Sequence, residues 1–154
     1  MVKIKLGTNR IKAVRAKCNE SIRLRDAKYS NGEYYSKCIS CGKYIVLNSE
    51  AKSETKEYHA GHYWREDQYN SVRFDEDNIH GQCLRCNRFL HGNLAEYEIN
   101  LQRKIGGARF EQLKLRRNIP KKFNPSELEE LEKYFEERIK QEKTRLKLNV
   151  NSSS

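Results

Sequence analysis

Four of the five cysteines stand in two Cys-x-x-Cys pairs, Cys38/Cys41 and Cys83/Cys86, with 41 residues between the pairs. Each pair puts two thiols at the tip of a tight turn, where both can reach one ion. Two such pairs make the tetrahedral sulfur set that Zn²⁺ prefers. Disulfides are the competing use. The N-terminus, Met1-Val2-Lys3-Ile4-Lys5, is basic and has no apolar signal core, so a reducing, cytoplasmic setting and a metal are expected. Four thiolates fill the coordination sphere, which makes such a zinc structural rather than catalytic, and its binding becomes folding energy. Cys18 is left over and is expected to be a buried apolar side chain. All four histidines, His59, His62, His80 and His91, fall within 33 consecutive positions around the second pair. An imidazole can serve as a base or a metal ligand near neutral pH, and scattered structural histidines rarely cluster in this way.

The elements that must position these groups are lean in apolar residues. Of 154 residues, 36% are hydrophobic and 34% charged. One small domain with long amphipathic helices, helped by a metal, fits that balance. No apolar run approaches the ~20 residues of a membrane span. The net charge is +10, and it is uneven. Residues 1–30 carry a net +7, 31–99 a net −3, 100–123 a net +7 and 124–154 a net −1. Two basic segments flanking an acidic middle point to a polyanionic partner, nucleic acid before an anionic membrane, with salt-dependent affinity.

Residues 1–17 show no clear period and read as an extended or mobile basic arm. Residues 18–30 read as a short helix stopped by Asn31-Gly32. Tyr44–Leu47 is a short strand and Tyr58 to Trp64 a second, separated by polar loops at 48–57 and 65–77. Asn78 to Cys86 reads as a turn into the second knuckle. A helix is expected from about Asn87 to Ile105, with Leu94, Tyr97, Leu101 and Ile105 on one face, ended by Gly106-Gly107. Residues 108–118 suggest a further basic helical piece. The last helix has Asn124 as cap, Pro125 at its first position and Glu127 three after the cap. Its stripe is Leu128, Leu131, Phe135 and Ile139, and it runs to about Leu148. The division expected is a basic arm and helix at 1–30, a zinc-knuckle core at 31–107, a connector and amphipathic helix at 108–149, and a disordered tail at 150–154. The fold class is α+β.

The order Gly61-His62, Asn78, Cys83-Leu84-Arg85-Cys86-Asn87 resembles the HNH, or ββα-metal, nuclease motif. More narrowly, the chain is similar to the NinG/Rap phage recombination proteins. The residues that carry this are Ser21-Ile22-Arg23-Leu24-Arg25-Asp26, Cys38-Ile39-Ser40-Cys41-Gly42, Ala60-Gly61-His62-Tyr63, the run from Arg73 to Cys83, Cys86-Asn87, Gly92-Asn93, Tyr97 and Leu101. They span over half the chain. The resemblance implies a zinc-stabilised ββα-metal core and a structure-specific endonuclease acting on branched DNA, such as Holliday junctions and D-loops, in phage recombination. It makes His62 the general base, Asn78 its brace and Asn87 a helix-borne ligand for a catalytic Mg²⁺ or Mn²⁺. Many HNH enzymes carry Asp just before the base; here that residue is Gly61, which cannot ligate. His59 shares the strand face of residue 61 and could reach the ion instead. Such a softer ligand would also admit Ni²⁺ or Zn²⁺. His91 lies one helical turn past Asn87, a pair that binds the metal in some HNH enzymes.

On this reading neutral His62 takes a proton from water, and Asn78 orients the ring through its side-chain or backbone carbonyl. Arg73, Arg85 and Arg88 clamp phosphates. His80 is expected to be structural, and Asn93 to cap or brace the helix start. Tyr63, Trp64 and Tyr69 either stack on unpaired bases or belong to the core, which is favoured for Trp64. The last helix packs on the domain or forms a homodimer, since symmetric junction cleavage needs two sites. Two other readings compete: a non-catalytic zinc-knuckle module that binds nucleic acid, and an HNH nuclease for another DNA substrate. His62, Asn78 and Asn87 separate the nucleases from the binder, which has no need of them.

Overall fold

The computed structural model describes residues 2–148, with side chains from Gly7 onward. The tail expected to be disordered, 150–154, lies outside the described residues. Helix α1 runs Val2–Asp26, so the expected basic arm is helical. Ile11, Val14, Cys18 and Ile22 recur at spacings of 3, 4 and 4, a stripe masked by the basic residues around it. Val14, Cys18 and Ile22 are buried with Leu128 and Phe135 of the last helix, Pro125–Arg145, and with Phe74 and Ile79. Cys18 is a core residue as expected, and burial raises its thiol well above the ordinary range.

Helix α1 stops at Asp26, not at 30, because the next residues pair as strands. Strands β1 (Lys28–Ser30) and β2 (Glu33–Lys37) form an antiparallel hairpin. Asn31-Gly32 is its two-residue turn, with φ of 52° and 78°, the left-handed pair that such a hairpin needs. Strand β3 (Tyr44–Leu47) completes a sheet of order β1-β2-β3. The first cysteine pair sits in the β2–β3 connection.

A second, two-stranded sheet joins β4 (Tyr58–His62) to β5 (Ile79–Cys83), with Gly61 opposite His80 and His62 opposite Ile79. Strand β5 replaces the turn expected at 78–86. All five of its residues are buried, so it shows no inside–outside alternation to read.

The expected continuous helix from Asn87 is interrupted. A single π-helical turn covers Arg85–Phe89, and the chain then passes through positive φ at His91, Gly92 and Asn93. Only at Leu94 does α2 (Leu94–Ile105) begin. The knuckle imposes this wrap: the Gly92 N–H donates to the Cys86 carbonyl at 2.7 Å. Asn93 makes no side-chain cap; its amide donates to Cys86 Sγ at 3.5 Å.

Helix α3 (Gly107–Arg117) follows, then α4 (Pro125–Arg145). The capping box at α4 is present: Asn124 Oδ1 accepts from the Glu127 N–H at 2.8 Å, and Glu127 Oε2 from the Asn124 N–H at 3.0 Å. Leu128, Phe135 and Ile139 are buried within the chain, so the stripe packs on the domain. At the far end of α4, Arg145 Nη2 donates to the carbonyls of Leu24, Arg25 and Ala27. These carbonyls lie at and just past the C-terminus of α1, where helical acceptors lose their intrahelical partners. Tyr63 is buried with Tyr97, Leu101, Phe110 and Leu113, and Trp64 and Tyr69 pack against that cluster as core. Among the described residues no helix is long and apolar enough to cross a membrane.

Candidate functional site

The two knuckles bring Cys38, Cys41, Cys83 and Cys86 together, with all four Sγ atoms within 4.8 Å of one another. Cys41 Sγ lies 3.8 Å from Cys83 Sγ. Tetrahedral coordination with bonds of about 2.3 Å separates sulfurs by about 3.8 Å. Three of the thiols are buried and Cys41 is exposed. Burial pushes the Cys38 thiol up to about 12. Thiols packed this closely need a cation's charge to ionise together, and the Cys86 N–H and the Asn93 side-chain amide donate to the Cys83 and Cys86 sulfurs. The cluster can hold a metal ion such as zinc.

Beside it lies a buried polar brace. Asp26, at the end of α1, pairs with Arg25 and Lys104 at 2.8 Å each and accepts the Gly81 N–H at 2.7 Å. His80 Nδ1 accepts from Arg25 Nη2 at 3.0 Å, and its Nε2 donates to the Asp77 carbonyl at 2.8 Å. This fixes His80 as structural. Burial, with the Lys104 and Arg25 charges, pushes its pKa down to about 3. Below the ordinary value of about 6.5, the unfolded chain therefore takes up a proton that the folded chain refuses. Stability is full above that pH and falls by up to about 1.4 kcal/mol per unit as pH drops toward 3. His62, also lowered chiefly by burial, adds to the same limb. Urea midpoints between pH 7.5 and 4.5 should fall steeply for the wild type and less steeply for His80→Gln. A flat wild-type profile contradicts the assignment.

Helix α1, strand β4 and the 85–92 turn enclose a groove. It consists of two abutting clefts of about 560 and 520 Å³ that share Arg15, Ala60, Asn87 and Arg88. One cleft continues past Arg23, Lys52, Lys56 and His59. The other continues past His62, Arg65, Glu66 and His91. Sequence reasoning missed Arg15, Arg23, Lys52, Lys56 and Glu66. Once α1 is read as a helix, Arg15, Asn19 and Arg23 share a face at i, i+4, i+8.

His62 Nε2 donates to the Arg73 carbonyl at 2.9 Å and stands 3.5 Å from Glu66 Oε2. Glu66 Oε1 accepts from Arg15 Nε at 2.7 Å. The proton therefore sits on Nε2, which leaves Nδ1 as the basic nitrogen. Burial lowers the His62 pKa, against the Arg73 carbonyl and the Glu66 charge, and keeps the ring neutral at pH 7.

The ring's anchor is thus Arg73, not Asn78. Asn78 is fully buried and ties the loop that carries this anchor. Its Oδ1 accepts the Trp64 N–H at 2.8 Å, and its Nδ2 donates to the carbonyls of Trp64 and Val72. The Arg73 side chain donates to the Glu66 carbonyl and does not line the groove, and Arg85 is exposed on the turn outside it. Of the residues expected at the site, His62, Asn87, Arg88 and His91 share one cleft. His59 faces the other cleft. Its Nε2 donates to the Lys56 carbonyl at 2.7 Å and its Nδ1 accepts from Asn87 Nδ2 at 3.0 Å. Among the described residues the cysteines are the only group of three or more His, Cys, Asp or Glu donors gathered closely enough for one ion.

Gly61 has a packing reason. A Cβ there would run into Gln82 Oε1 and lie 2.9 Å from its Cδ. Gln82 cannot easily yield, because its Nε2 is held by Ser40 Oγ and the Gly92 carbonyl. A larger side chain at this position would therefore have to displace Gln82 from Ser40 and Gly92. Gly61→Ala should cost about 1–3 kcal/mol, and adding Gln82→Ala should return part of it in urea unfolding. A Gly61→Ala protein as stable as the wild type would contradict this packing.

A family model described as the bacteriophage lambda NinG protein matches residues 2–145. The protein ninG of Escherichia phage 933W is 37% identical over 81 residues, 53% of this chain and 36% of that protein. The Salmonella phage P22 protein is 40% identical over 76 residues, 49% and 33% of the two chains. The Escherichia phage lambda protein is 36% identical over 81 residues, 53% and 35%. The aligned stretch spans about a third of the length of these curated relatives. No solved structure matches.

Proposed function

Because this chain belongs to the NinG family, we propose that it is a metal-dependent HNH-type endonuclease that hydrolyses DNA phosphodiester bonds, selective for branched DNA such as Holliday junctions, in phage recombination in the host cytoplasm. The observation that carries this reading is His62: a neutral imidazole with Nε2 anchored to a carbonyl, standing in one basic cleft with Asn87, Arg88 and His91. In the reaction His62 Nδ1 accepts the proton of the attacking water. The Arg73 carbonyl keeps the ring oriented, and Glu66 stabilises the imidazolium once formed. Arg15 and Arg88 bind the phosphates on either side of the scissile one. Asn87 and His91 would hold the divalent ion, Mg²⁺ or Mn²⁺, with water and phosphate oxygens completing its shell. Bound there, the ion would supply charge neutralisation at the scissile phosphate and the leaving oxygen. Zinc in the cysteine cluster is structural and fixes the 85–92 turn against β4.

A non-catalytic zinc-knuckle module that binds nucleic acid is the second reading. It is favoured by the want, among the described residues, of a second tight donor cluster. Purified protein incubated with a four-way junction and a linear duplex, with Mg²⁺ or Mn²⁺, separates them. Cleavage preferring the junction is expected. Binding without cleavage under any divalent ion selects the binder, and equal cutting of both substrates selects an HNH nuclease for another DNA.

A further inference from the structure

The turn that carries Asn87 ends in an apolar tip. Phe89 is 71% exposed, the most exposed large apolar side chain among the described residues, with Leu90 at 42% and Leu94 at 43% beside it. Tyr63, Trp64 and Tyr69, which could have stacked on bases or belonged to the core, are packed in the core. The mount of Phe89 is rigid. The Leu90 N–H donates to the Arg85 carbonyl at 2.9 Å, Gly92 N–H to Cys86 and Asn93 N–H to Leu90, and Cys86 belongs to the metal cluster.

The surroundings select the partner. From Leu84 to Ala95 there is no acidic residue, while Arg85, Arg88 and His91 are exposed. Arg88 and Leu94 also line the cleft of His62, so the tip adjoins the proposed site of cleavage. An aromatic ring ringed by arginines fits a polyanion with stackable faces. A continuous duplex offers no open base step, and entering one means unstacking it. At a branch point the end pairs are already less constrained, so a wedge discriminates in their favour.

We propose that Phe89, supported by Leu90, is a stacking wedge that enters the open base step at a DNA branch point while Arg85 and Arg88 grip the flanking phosphates. This deepens the function proposed above and rests on its DNA-binding part, not on catalysis.

The test uses the full zinc-loaded chain, a four-way junction carrying 2-aminopurine at the branch, and a linear duplex of the same length, all without added Mg²⁺ or Mn²⁺. Wild type should brighten the probe in the junction and not in the duplex. Phe89→Ala should lose that signal and at least tenfold of junction affinity, bind duplex within twofold of wild type, and melt unchanged. Phe89→Trp should restore the signal. A wild type that leaves the probe dark, or a Phe89→Ala protein that keeps both signal and junction preference, overturns the wedge. So does lost affinity that accompanies dissociation of a dimer in sedimentation, which would make Phe89 a protein contact. A wild type that brightens the probe yet cuts nothing when Mg²⁺ or Mn²⁺ is added keeps the wedge and removes the nuclease.

Discussion

His62→Ala should slow single-turnover DNA cleavage by roughly 10²–10⁴-fold, the range that a positioned general base contributes, while zinc content and binding to uncleaved DNA stay near wild type. The expectation follows from where the proton sits. Nε2–H is committed to the Arg73 carbonyl, so the ring has one basic nitrogen, and burial holds it neutral at pH 7. The wild-type rate should therefore fall as pH drops through a midpoint below 6.5, the ordinary value for histidine, because protonation removes the base. The alanine variant should lose that limb. Added imidazole should recover part of the rate if the cavity admits it. Because the ring also anchors the loop at Arg73, circular dichroism must match wild type before the rate is read. Cleavage unaffected by the substitution would assign the proton to another group.

Cys83→Ser should abolish stoichiometric zinc and with it the cooperative fold. Structural zinc in cysteine-rich modules binds with about 10–16 kcal/mol, whereas whole domains are stable by about 5–15 kcal/mol. The lost metal is therefore as large as the whole margin. The damage should spread, because Cys38, Cys83 and Cys86 pack in one cluster with Leu24 and Ala27, with Ile45, Leu47 and Tyr58 of both sheets, and with Ile139 and Leu146. Hydrogen exchange should show lost protection in α1 and α4 as well as in the knuckles, and a strong chelator should do the same to wild type. Cys41→Ser should be milder, since Cys41 is exposed and removes a ligand without opening the core. An unchanged melting curve for Cys83→Ser would sink the structural-metal assignment.

Chemistry-bearing residues were the most readable part of the sequence. Two Cys-x-x-Cys pairs need only a shared ion to be recognised, and their sulfurs do meet. The α4 cap was equally legible because its signal is local: Asn124, Pro125 and Glu127 interact within one turn. Other elements depend on distant partners. Basic residues diluted the period of α1, whose stripe is meaningful only against Phe135 and Leu128. Strand β5 is covered on both faces and offered no alternation. The wrap at 85–93 is set by the knuckle rather than by helix propensity, so Asn87 and His91 share a cleft without sharing a helix. The groove itself was hidden for the same reason as α1, which supplies one of its walls.

The clasp of Arg145 over the last carbonyls of α1 has a temporal consequence. Most of a helix's stability in a protein comes from packing of its apolar face, and the α4 residues that cover and close α1 come some 100 positions later in the chain. During synthesis on the ribosome, Arg15 and Arg23 are made early yet wait for α4 to emerge before they are held in place. A nascent chain therefore assembles this groove only once α4 has emerged to cover α1.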